Sequence, residues 1–118
     1  MGYRSDVIIV LRNDVIIPEE VQKAFFEDCE FKLIGSCEGH RLFIRNHINW
    51  YADSAGENDV YHHVWIVDQF LQSLNDEQYR FFRIGEDSDD IEYKGWFYKE
   101  PFNVGIRREF TYEQLDDR

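Results

Sequence analysis

Five carboxylates fall within seven residues of this 118-residue chain: Glu86, Asp87, Asp89, Asp90 and Glu92, in the stretch Arg83-Ile84-Gly85-Glu86-Asp87-Ser88-Asp89-Asp90-Ile91-Glu92. Such a loop has three chemical uses. It can hold a cation, supply a general acid and base, or present negative charge to a basic partner. Calcium fits badly. Asp87, Asp89 and Ile91 alternate as ligands would, but the turn glycine is missing and Tyr98 stands where a bidentate Glu should close the loop. Acid–base work by paired carboxylates needs one of them in an apolar pocket, whereas acids on one polar loop share solvent and repel each other. Partner binding survives this comparison. Successive carboxylates along extended chain are spaced much like strand phosphates, and Tyr93, Trp96 and Phe97 just beyond the loop are candidate aromatic anchors. The bland alternative is a solvated loop that serves solubility alone.

Other chemistry-bearing residues form no constellation. His40, His47 and the pair His62-His63 lack metal-ligand spacing, because neighbours on a helix point about 100° apart. Cys29 and Cys37 form no CxxC unit and read as free thiols. There is no GxSxG, GxGxxG or GKS/GKT motif. The reading is a non-enzyme with no catalytic residue, no metal and no cofactor.

Net charge is −11 and uneven: residues 1–52 hold eight acids and six bases, residues 53–118 sixteen and seven. That field disfavours nucleic acid and anionic lipid and favours a protein with a basic surface. With 43% hydrophobic and 17% aromatic residues, the chain has material for one folded core, so a single domain over residues 1–118 is expected. No apolar run is long enough for a membrane helix and no signal peptide is visible, which predicts a cytoplasmic protein.

The elements follow from periodicity. Val7–Leu11 is a continuous β-branched run, expected as a central strand buried on both faces. Pro18 opens a helix whose apolar face is Val21, Ala24, Phe25 and Cys29. A strand over Phe31–Ser36 turns at Cys37-Glu38-Gly39-His40 into a long strand, Leu42–Trp50. There Leu42, Ile44, Asn46, Ile48 and Trp50 should share one face. After a loop with Asn58 as N-cap, Val60, Val64, Val67, Phe70, Leu71 and Leu74 mark a second helix. Tyr79–Ile84 is again a strand, and Ile91–Tyr98 and Val104–Tyr112 close the chain as a β-hairpin extension. This order predicts an α+β fold: a ferredoxin-like βαββαβ sheet with two helices on one face. Single-strand RNA readers share that frame, but the basic-aromatic strand they use is missing and the charge opposes RNA.

Three blocks also resemble a group of small phage and prophage proteins. They are the opening Met1-Gly2-Tyr3-Arg4-Ser5-Asp6-Val7, the pair Trp50-Tyr51, and Arg83-Ile84-Gly85-Glu86 with Asp89-Asp90-Ile91-Glu92. Residues 99–118 have no counterpart. The resemblance implies phage origin and action inside a bacterial host, and it brings no catalytic activity. It implies an accessory protein that binds and inhibits a host protein, such as a CRISPR effector or another defence or nucleic-acid-handling factor. The partner-binding residues are then Glu86, Asp87, Asp89, Asp90, Glu92, Tyr93 and Trp96. Two alternatives are a small metal-dependent hydrolase acting on nucleotides, and a homo-oligomeric structural module, with a homodimer as its simplest form.

Overall fold

The computed structural model describes residues 4–50, 62–87, 90–95, 105–106 and 110–111. The β-branched run near the N-terminus lies in strand β1 (Ser5–Arg12), the middle of a five-stranded sheet. Val7 through Leu11 are all fully buried, as an uninterrupted apolar strand requires. Val7, Ile9 and Leu11 enter one core cluster, and Ile8 and Val10 enter another on the opposite face.

The remaining strands are β2 (Lys32–Cys37), β3 (His40–Ile48), β4 (Tyr79–Ile84) and β5 (Ile91–Gly95). Their order is β2-β3-β1-β4-β5, and every neighbouring pair is antiparallel. Glu38 and Gly39 turn β2 into β3 with φ of 49° and 77°. Positive φ at both positions is the two-residue hairpin geometry that follows strand twist.

The larger cluster joins the sheet to the helices. Helix α1 (Glu19–Gln22) continues directly into a π-helical turn over Lys23–Asp28, where the Cys29 N–H donates to the Ala24 carbonyl at 2.8 Å. The wider turn lets Val21, Ala24, Phe25 and Cys29 all face inward. Phe25 stacks on Phe31 at 4.7 Å and meets Phe43 edge-on at 5.0 Å. Helix α2 (His62–Gln72) buries Val64, Val67, Phe70 and Leu71 against the same face. Burying each such side chain is worth roughly 1.5–3 kcal/mol, so this layer dominates the fold's stability. Val60 and Asn58 lie outside the described residues.

Three expectations need correction. The fold is α+β, but it departs from a four-stranded ferredoxin-like sheet under two full helices. Among the described residues its main sheet has five strands, and its first helix is one α turn plus one π turn. The first half of the expected C-terminal hairpin is instead edge strand β5. Arg83 pairs with Glu92 and Ile84 with Ile91, so the short loop after β4 favours folding back onto the sheet. Gly95 then ends β5 at φ 77°, where a Cβ would collide with the Tyr79 carbonyl. A separate two-stranded ladder is formed by β6 (Gly105–Ile106) and β7 (Phe110–Thr111).

The third correction concerns β3. Ser5 pairs with Ile48 but Val7 pairs with Arg45, so Asn46 and His47 together oppose Asp6. This β-bulge holds His47 at φ 55° and reverses the alternation beyond it. Leu42 and Ile44 therefore lie on one face, while Ile48 and Trp50 join Phe43 on the other.

Candidate functional site

The acidic loop spans the turn between β4 and β5, and its backbone closes on itself. The Gly85 N–H donates to the Asp90 carbonyl at 2.8 Å, and the Asp90 N–H donates to the Asp87 carbonyl at 3.1 Å. Strand alternation then fixes the face of Glu92, among the described residues the one acid of the block within a strand. Arg83 and Glu92 are cross-strand partners, and Arg83 also pairs with Val7 of the helix-facing cluster, so Arg83, Glu92 and Lys94 share the helix side. Tyr93 pairs with Phe82 and belongs to the opposite face.

Arg83 gathers the base of the loop. Its guanidinium donates to Asp90 Oδ1 at 2.7 Å and Oδ2 at 3.1 Å, to Glu92 Oε1 at 2.8 Å, and to the Ser5 hydroxyl at 3.0 Å. Its side chain is only 15% exposed. Burial lowers the Arg83 pKa, but hydrogen bonds and charge from Asp90 and Glu92 raise it further, so the guanidinium stays charged. Two of the expected partner-binding acids thus hold the loop together. A bidentate guanidinium between two carboxylates suits this role through its planar fork.

The network extends to the helical layer. Lys94 Nζ lies 3.4 Å from Glu92 and 3.2 Å from Asp68, an α2 carboxylate only 2% exposed. It also lies 5.4 Å from the Phe81 ring centroid. Burial lowers the Lys94 pKa, and the charges of Asp68 and Glu92 reverse this and lift it above its ordinary 10.5. One chain of ion pairs therefore links α2, β5, β4 and the loop, and the Ser5 hydroxyl joins it to β1.

Glu86 and Asp87 remain exposed at the loop tip, and Glu86 accepts a hydrogen bond from the Arg4 backbone N–H. Tyr93 is 59% exposed and leans edge-on against Phe82 at 5.6 Å. Asp89 and Trp96, with Phe97, lie outside the described residues. Between the loop and the β3 bulge lies a cleft of about 420 Å³ lined by Arg4, Ser5, Asp6, His47, Ile84, Gly85 and Glu86. Asp6 Oδ1 accepts the His47 backbone N–H at 3.0 Å and so braces the bulge.

Arg83, Lys94 and Asp68 are the residues that sequence reading missed. A signal existed for two of them. Arg83 directly precedes the acid block, and Asp68 stands four residues after Val64 on the apolar stripe of α2, where a carboxylate demands a partner. Nothing local pointed to the Lys94–Asp68 pair, whose members lie 26 positions apart.

Cys29 is buried and Cys37 half-buried, and neither is in a disulfide. Among the described residues, no group of three or more His, Cys, Asp or Glu is arranged to hold a metal ion, and no helix is long and apolar enough to cross a membrane. No protein-family model, curated protein or solved structure matches this chain.

Proposed function

We propose that this chain is a non-enzymatic accessory protein of phage origin that acts in the cytoplasm of a bacterial host. It binds and inhibits a host protein with a basic surface, a defence or nucleic-acid-handling factor. The observation that carries the reading is the division of labour within the acidic loop. Arg83 grips Asp90 and Glu92, while Glu86 and Asp87 stay exposed at the tip, with Tyr93 exposed on the adjoining strand. A loop held in one shape loses less entropy on binding than a free acidic tail. Glu86, Asp87 and, by sequence position, Asp89 supply the contacting charge. Tyr93 and Trp96 are the aromatic anchors, and Asp90 and Glu92 act by positioning the tip. We also infer that the segment from β1 to β4 is a ferredoxin-like unit to which β5 has been added, an idea supported by the internal order β2-β3-β1-β4.

The test is capture from bacterial lysate with wild-type protein and with the Glu86→Gln, Asp87→Asn, Asp89→Asn variant. The variant should keep the native circular dichroism spectrum and lose the partner, and wild-type capture should weaken as salt rises. Equal capture by both proteins would sink the charge-based mechanism.

A further inference from the structure

The outer edge of β5 is unpaired by any described strand, since β5 closes one side of the five-stranded sheet. Its sequence, Ile91-Glu92-Tyr93-Lys94-Gly95, is self-complementary when read antiparallel. From this we propose that β5 pairs with β5 of a second copy about a two-fold axis through Tyr93, making one continuous ten-stranded sheet. This pairing does not depend on the host-protein reading above.

The register follows from charge and alternation. A two-fold perpendicular to the sheet must pass through a residue, because an axis between residues would set opposite faces against each other. Three centres are then open within the middle of the strand. An axis through Glu92 sets two glutamates face to face, and one through Lys94 sets two lysines face to face. Like charges directly opposite destabilise an antiparallel pair. An axis through Tyr93 places Glu92 opposite Lys94 of the second copy, twice, on the helix side. On the other face the two Tyr93 rings meet, and Ile91 covers the bare Gly95 of the partner strand.

The exposed groups match. Tyr93 is 59% and Ile91 38% exposed, both on the face that this pairing extends. Lys94 is a usual guard against edge pairing, but here its charge is already met by Asp68 and Glu92, so it does not protrude as a free cation. The strand has no proline and no bulge. Opposing the association is the charge of −11 on each copy, which salt screens. The dimer therefore strengthens with salt, opposite to the salt response of host capture.

Sedimentation equilibrium of the full chain over a concentration series tests this. In about 0.5 M NaCl, where the Debye length is near 4 Å, the weight-average mass should rise with concentration toward twice the chain mass. Tyr93→Lys puts like charges on the axis and removes the ring pair, and should weaken the dimer about tenfold. Amide exchange in wild-type protein should slow at residues 91–95 as concentration rises, which reports the edge without any substitution. A monomer at all concentrations overturns the proposal. So does an unchanged dimer in a natively folded Tyr93→Lys protein, and so does growth beyond a dimer, which would mean that unlike edges join.

Discussion

Burial raises the Cys29 thiol to a pKa of about 12; the Asp28 charge adds to the shift, and Arg45 only partly opposes it. A thiolate is the reactive form, so this cysteine is chemically silent while the chain is folded. Iodoacetamide at about pH 8 should label half-buried Cys37 first and reach Cys29 only at the rate of unfolding, as mass spectrometry of the two peptides would show. Equal labelling rates would contradict this burial. Arg83 makes the same point with the opposite sign of charge. It stands beside five acids in the chain, yet strand register sets Glu92 opposite it and the loop's turn brings Asp90 back to it, while Glu86 and Asp87 are exposed. The acid cluster was legible as composition, but the pairing was not, because it depends on the β4–β5 register and on the turn that carries Asp90 back to Arg83.

At the level of elements, β5 is attached to the sheet by its ladder with β4 and by the Arg83 and Lys94 ion pairs. Arg83→Met would leave two half-buried carboxylates facing each other. Exposed pairs are worth under about 1 kcal/mol and breaking buried ones costs about 3–5, so this intermediate site should lose about 2 kcal/mol. Urea unfolding measures that loss, and hydrogen exchange should place the added mobility at β5 and the loop. Arg83→Lys should recover only part of it, since an ammonium cannot hold both carboxylates through a planar fork. A neutral outcome for both variants would reduce the network to surface decoration. Most elements could be read from periodicity: β1 from its β-branched run, α2 from its 3–4 spacing, and β4 at its observed bounds. The bulge at Asn46-His47 could not, because a one-residue offset appears only when β3 is aligned with β1.

For the molecule as a whole, three groups among the described residues make folding sensitive to alkali. Cys29 is held at about 12 against an ordinary 9.0; burial lifts Tyr79 above 10.0, and Lys94 titrates above 10.5. Each keeps its proton in the folded state at pH values where the unfolded chain has released it. Their contributions are therefore complete below about pH 9 and decline as pH rises through the folded values. Cys29 alone should cost about 1.4 kcal/mol per pH unit over that limb. Urea midpoints should fall between pH 8 and 11, and Cys29→Ala should remove the part that begins near pH 9; a flat profile in wild-type protein would refute it. Charge density, strand and helix periodicity and the missing catalytic motifs are properties of neighbouring residues, so they can be read along the chain. The acidic loop's division into a gripped base and an exposed tip is not such a property. It arises because the fold brings Ser5 to Arg83 and Asp68 to Lys94 from distant positions, and sheet register sets Glu92 directly opposite Arg83.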